Sequence, residues 1–143
     1  DENPGSGVDG NPGGGGGGNP GGGGGESPST QCCGLTTNNL YVTFSGALAG
    51  LGTITLNQYD PDYYYATNVP TSECEAASVN LHLSCTVDGF YTLSIEFFDN
   101  WGNLEHTVSV DLTHWCGPPF YAVGTGYVDI GSCNGEFGVV ITE

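Results

Sequence analysis

Oxygen donors crowd one short stretch of this chain, Asp99-Asn100-Trp101-Gly102-Asn103-Leu104-Glu105, at alternate positions around a glycine. Hard cations such as Ca²⁺ take oxygen ligands of this kind, which makes Asp99, Asn103 and Glu105 candidate ligands. The stretch lies between two strand-like segments, however, and a hairpin loop selects the same residue types. It also lacks the twelve-residue spacing of an EF-hand, so the plain turn is the favoured reading. Asp60-Pro61-Asp62 poses the same choice more weakly and reads as a turn. Around it stand four tyrosines, Tyr59, Tyr63, Tyr64 and Tyr65. Aromatic faces beside carboxylates can stack on sugar rings and accept their hydroxyl hydrogen bonds. The competing expectation is a strand whose central tyrosine is core and whose outer pair meets another subunit. Trp101 and Trp115 carry the same ambiguity.

Catalysis finds little support. His82, His106 and His114 are accompanied by no G-x-S-x-G elbow, no H-E-x-x-H and no other catalytic signature. Glycoside hydrolysis needs only two carboxylates, and among 16 acidic residues some pair always lies at a plausible distance. His82 falls on the face of an alternating segment opposite Leu81 and Leu83, as a solvent-side residue would. The expectation is a protein that is not an enzyme and needs no cofactor beyond a possible Ca²⁺.

The six cysteines are Cys32, Cys33, Cys74, Cys85, Cys116 and Cys133. An even set without a C-x-x-C pair reads as a disulfide framework formed in an oxidising compartment, and the spacings do not match zinc sites. Cys32 and Cys33 are adjacent, so in an extended segment they point to opposite faces. They are expected to tie that segment to two places, with partners among Cys74, Cys85 and Cys116; the sequence leaves the pairing open. The chain begins at Asp1 without a methionine, as removal of a secretion signal would leave it, and no apolar run approaches membrane-spanning length. These features point to a secreted, cell-surface protein without membrane insertion.

Composition narrows the partners. The chain has no lysine and no arginine against 16 acidic residues, a formal charge of −16. Nothing here can neutralise phosphates, so nucleic acid and anionic membrane surfaces are excluded as partners. Cohesion must come from backbone pairing, apolar burial and disulfides. No Asn-x-Ser/Thr sequon occurs; Ser27, Ser29 and Thr30 around Pro28 suit O-glycosylation, which leaves glycans as possible partners.

The elements that position these groups are strands. Leu40, Val42 and Phe44 alternate, as do Ile54 and Leu56. So do Val79, Leu81, Leu83 and Cys85, then Tyr91, Leu93, Ile95 and Phe97. Val108, Val110 and Leu112 follow, then Tyr121 to Ile130, and finally Phe137, Val139 and Ile141. Period two with β-branched and aromatic residues, broken by Gly, Asn, Asp and Pro, predicts an all-β domain of about seven to nine strands. Asn134-Gly135 is a hairpin turn signal. Strand spacing near ten residues fits a disulfide-stapled antiparallel β-sandwich or jelly roll better than a small barrel. The last strand, Phe137 to Thr142, is predicted to be either central or an edge completed by another subunit.

Before this domain, residues 27–143, stands a segment of another kind, residues 1–26. Asn-Pro-Gly occurs at Asn3, Asn11 and Asn19, each copy eight residues after the last, and Gly13 to Gly18 and Gly21 to Gly25 are unbroken glycine. Such a composition suits a flexible linker. It also suits extended left-handed helices, which proline presets and glycine tolerates, rising about 3.1 Å per residue. That helix makes no internal hydrogen bonds, so its amides need partners outside it, and parallel copies without side chains can supply them. Twenty-five residues would reach roughly 78 Å at that rise. The domain is only some 35 Å across, judging from an expected radius of gyration of about 13 Å. The segment reads as an assembly arm, with Pro4, Pro12, Gly13, Gly18, Pro20, Gly21 and Gly25 at its contacts.

The runs Cys32-Cys33-Gly34-Leu35, Leu40 to Gly46 and Gly52-Thr53-Ile54-Thr55-Leu56 resemble uncharacterised cysteine-containing β domains of secreted bacterial and phage proteins, over residues 32–60. That resemblance implies a secreted β domain and no activity. The layout of an arm followed by a β domain also resembles donor-arm filament subunits such as chaperone–usher pilins, whose amino-terminal extensions complete a neighbour's sheet. A pilin donor strand alternates apolar residues and the polyglycine of this arm has none, which favours bundling of glycine helices. The expectation is a structural subunit of a self-assembling extracellular filament, with copies of itself as partners. The alternative is a glycan-binding or adhesive surface module on a flexible spacer.

Overall fold

The computed structural model describes residues 27–143, and they form an all-β, antiparallel, disulfide-stapled domain. Its nine strands are β1 (Asn39–Gly46), β2 (Thr53–Asp60), β3 (Tyr63–Pro70), β4 (Ser78–Cys85), β5 (Tyr91–Phe98), β6 (Leu104–Asp111), β7 (Thr113–Trp115), β8 (Tyr121–Ile130) and β9 (Cys133–Thr142). They lie in the order β6-β5-β4-β3-β2-β1-β9-β8-β7. Every neighbour is also a neighbour in sequence except β1 and β9. One long-range pairing, from Tyr41↔Thr142 to Gly46↔Phe137, therefore joins two simple meanders into one sheet.

Alternation explains the pairing. Along β5 the residues Tyr91, Leu93, Ile95 and Phe97 are buried and those between them are half-buried. β4 matches this with Val79, Leu81 and Leu83, paired in register to Phe97, Ile95 and Leu93. A slip of one residue would turn each set out to water, so the register is fixed by burial. The two layers of the domain come from one sheet rolled until its ends nearly meet, and the core lies inside: Leu40, Val42, Leu56, Tyr64, Leu81, Ile95, Phe97, Phe137 and Ile141 are sealed from solvent.

The final strand takes the central of its two predicted positions. β9 pairs with β1 on one side and with β8 along its whole length on the other, so its groups are already used. The hairpin before it corrects one sequence expectation. The turn is Gly131-Ser132, because Ile130 pairs with Cys133, whereas Asn134 sits inside β9 opposite Asp129. Two causes place it there. Gly131 supplies the positive φ, 54°, and Cys133 is held by its disulfide to Cys74.

The roll is closed by a near-continuous strand. β6 pairs with β5, and β7, one residue further on, pairs with β8. At the junction Leu112 donates its N–H to Tyr91 O. Here β8 carries two glycines. A Cβ on Gly124 would stand 2.7 Å from both Leu112 Cδ2 and Val110 Cγ1, and one on Gly126 would stand 2.7 Å from Phe137 Cζ. Close approach of β6 to β8 thus requires bare backbone. Gly124→Ala is expected to lower unfolding stability by about 1–3 kcal/mol through overpacking, measured by denaturant titration. An unchanged midpoint would show that the closure is looser than described.

Candidate functional site

The built polar centre of the domain lies where the chain enters it. Residues 29–37 cross one end of the roll as an extended segment, and a chain without lysine or arginine must hold them by other means. Asp62 provides the first. It sits in the two-residue turn between β2 and β3 with φ 64°, a conformation that Asp tolerates better than most residues. Its Oδ1 accepts the Leu35 N–H at 2.7 Å and its Oδ2 accepts the Gly34 N–H at 3.1 Å. Its own N–H is donated to Leu35 O. The Tyr91 hydroxyl donates to the same Oδ1 and accepts the Cys33 N–H at 3.1 Å.

Around this clamp the entering segment is fixed at every step. Cys32 is bonded to Cys85 at the end of β4, and Cys33 to Cys116 just after β7. Both partners lie in the set expected from sequence, and the adjacent pair ties one segment to two places. Ser29 donates its N–H to His114 O, and His114 Nε2 lies 2.8 Å from Gln31 O. The Tyr64 hydroxyl donates to Thr37 O at 2.6 Å. Gly89, with φ 92°, lets the segment pass, since a Cβ there would stand 2.1 Å from Thr30 O. Rings complete the floor: Tyr91 packs edge-on against His114 at 4.6 Å and Phe120 at 5.1 Å.

Burial first, and the bond to Asp62 second, raise the Tyr91 phenol well above its ordinary pKa of 10.0. Tyr64 shifts the same way, through burial and then the nearby charges of Asp62 and Glu143. Sulfur and nitrogen ligand atoms of Cys33, Cys116 and His114 lie within 4.8 Å of one another. The two sulfurs are spent on their own disulfide and offer no thiolate to a metal.

The other candidates fall elsewhere. Asp99 and Asn103 do come together, but as a turn. Asp99 Oδ1 accepts the N–H groups of Trp101 and Asn103, each at 2.9 Å, and Oδ2 accepts the Asn103 side-chain amide at 3.2 Å. The Asn103 N–H, followed by that of Trp101, holds the Asp99 carboxyl below its usual range. The carboxylate is thus surrounded by donors from its own loop, and a cation there would have to displace them. Glu105 is separate, lining a cleft of about 330 Å³ with Cys74, Glu75, His106, Asp129, Ile130 and Gly131. Of the tyrosines, Tyr64 is core, while Tyr59 is 66% exposed and edge-packed on Tyr63 at 5.3 Å and Tyr65 at 6.0 Å. His82 lies beside them, with Nε2 3.5 Å from Glu96 Oε1. Pro4, Pro12, Gly13, Gly18, Pro20, Gly21 and Gly25 lie outside the described residues.

Sequence reasoning assigned no role to Tyr91, His114 or Gly89 and read Asp62 as a turn residue alone. The available signal was Asp62 itself: a second acid in a tight turn, in a chain with no basic partner, has to find N–H or O–H donors. Comparison with protein-family models, curated proteins and solved structures finds no match.

Two measurements probe the clamp. Asp62→Asn keeps a side chain that tolerates positive φ but removes the charge, and should cost about 1.5–3 kcal/mol of unfolding free energy. A loss under about 0.5 kcal/mol would mean the carboxylate is not what secures the segment. The phenols set a pH dependence. Unfolded tyrosine ionises near pH 10 and the folded groups ionise higher, so their stabilisation is complete below about pH 10 and falls as pH rises past it. Tyr91→Phe should shallow that alkaline decline, and an identical slope in the variant would contradict the assignment.

Proposed function

We propose that this protein is a structural subunit of a self-assembling extracellular filament, in which the glycine-rich arm of each copy packs against its neighbours. The observation that carries the reading is the anchorage at the arm's root. A passive spacer needs only one covalent attachment to its domain. Here the segment that follows the arm is joined by two adjacent disulfides to separate parts of the sheet, and one carboxylate holds the backbone of the next two residues, Gly34 and Leu35. Tension on the arm would pass into β4 through Cys85 and into the β7–β8 connection through Cys116. Both links are covalent.

Supporting features agree. Three disulfides indicate an oxidising environment, and among the described residues no helix is long and apolar enough to cross a membrane. Secretion to the cell surface follows as part of the proposal. The arm's amides, in the extended form its prolines favour, make no bonds within their own helix and, once packed away from water, need the partners that neighbouring backbone supplies. A formal charge of −16 keeps free subunits apart until such bonding outweighs repulsion.

A second reading, a glycan-binding module on a spacer, draws on the outward cluster of Tyr59, Tyr63 and Tyr65 beside His82. One comparison separates the two. Purified full-length protein should form filaments visible by electron microscopy, and the same protein without Asp1 to Gly25 should remain monomeric. Normal filaments from the truncated chain would refute the arm's role. A full-length monomer whose tyrosine emission responds to sugars would favour the second reading.

A further inference from the structure

The roll is closed at one end of its seam and open at the other. Continuing the β7–β8 register from Thr113↔Val123 sets Leu112 opposite Gly124, Val110 opposite Gly126 and Thr107 opposite Asp129. The first two meetings are real contacts, as the missing Cβ atoms of Gly124 and Gly126 show. Beyond Val110 the strands part. Among the described residues no ladder joins β6 to β8, although the register would carry one along their whole length. The gap opens into the cleft of about 330 Å³ whose walls are Glu105 and His106 on one side and Asp129, Ile130 and Gly131 on the other.

Two strand edges therefore face each other across this opening, and among the described residues no ladder joins them. Open edges recruit extended backbone. What they recruit depends on their surroundings. Leu104, Glu105, His106 and Thr107 are all exposed, and across the slot the apolar residues Val128 and Ile130 are already buried, so little apolar surface is left there to cover. A donor strand with alternating apolar side chains would gain nothing from it. Glu75, Glu105 and Asp129 at the rim repel acidic segments. The slot suits neutral backbone with no side chains and many unsatisfied amides.

This chain carries such a segment. We propose that the open β6–β8 seam receives a glycine run, Gly13 to Gly18 or Gly21 to Gly25, from the arm of a neighbouring copy. The runs of six and five residues match the length of the splayed part, Leu104 to Ser109 on β6. The inference rests on the filament reading and names the surface that reading needs. It also answers the objection that polyglycine cannot act as a pilin-type donor. An acceptor that leaves an apolar side open demands apolar side chains, and one whose apolar residues are already covered does not.

Cross-linking in full-length protein tests it. One chain carries Gly16→Cys and a second carries Thr107→Cys, an exposed seam position; mixed and mildly oxidised, they should give a disulfide-linked heterodimer. Its yield should exceed by at least about tenfold that from Gly16→Cys with Thr55→Cys, an exposed position on β2 away from the seam. Circular dichroism of each variant confirms folding beforehand, and Asp129→Cys on the opposite wall provides a second seam probe should Thr107→Cys misfold. Filaments that form while seam yields stay at control level would overturn the seam and leave the filament reading standing. Dominant Thr107→Cys homodimers would show two β6 edges pairing, and would overturn the arm as occupant. An intramolecular link in a chain carrying both Gly16→Cys and Thr107→Cys, at dilutions where no polymer forms, would overturn the neighbouring copy as its source. A native chain that never polymerises would remove both proposals.

Discussion

A carboxylate with no cation to pair with governs this domain. Asp62 lies half-buried in a chain that has neither lysine nor arginine, so only N–H and O–H groups can compensate its charge. It finds three: two successive backbone amides of the entering segment and the hydroxyl of Tyr91. That geometry fixes the path of Cys33 to Leu35, which in turn places the two adjacent cysteines against their partners. The disulfides then make permanent what the carboxylate positions.

The same scarcity of cations shapes the rest of the molecule. Asp99 is satisfied by the amides of its own hairpin loop, and at the sheet's far end Glu143 accepts the N–H of Phe120 at 2.6 Å. Asp62, Asp99 and Glu143 all bind backbone N–H groups. It is a chemistry that treats amide groups as the common partner, and it extends naturally to an arm that consists of little else. In the proposed filament, the disulfide-anchored root of the arm and the open edges of the seam would be two sides of one arrangement, a donor and its acceptor.

How much of this was legible in the sequence depended on range. The strands were, because alternation such as Tyr91-Leu93-Ile95-Phe97 is a local record of one buried face. The turn at Asn134-Gly135 was misplaced by three residues because local turn chemistry competed with a distant constraint, the bond from Cys133 to Cys74, and lost. Of the clamp, only the acid in need of donors and the two adjacent cysteines were legible, and the groups that meet them were not. Asp62, Tyr91 and His114 are separated by 29 and 23 positions and meet only because the rolled sheet brings the β2–β3 turn, the start of β5 and β7 together. Glu105 was grouped with Asp99 and Asn103 by proximity in sequence, yet β6 carries it into the cleft opposite Asp129. Likewise the open seam follows from where β6 stops meeting β8, which no single stretch encodes.

The central claim is that the arm's backbone groups are bonded to other copies of the protein. Hydrogen exchange at the amides of Gly13 to Gly18 and Gly21 to Gly25, followed in native assembled material, tests it most directly. The account predicts exchange at least about a hundredfold slower than in a free glycine peptide, equivalent to roughly 2.7 kcal/mol of protection. Exchange at the free-peptide rate in intact assemblies would contradict it.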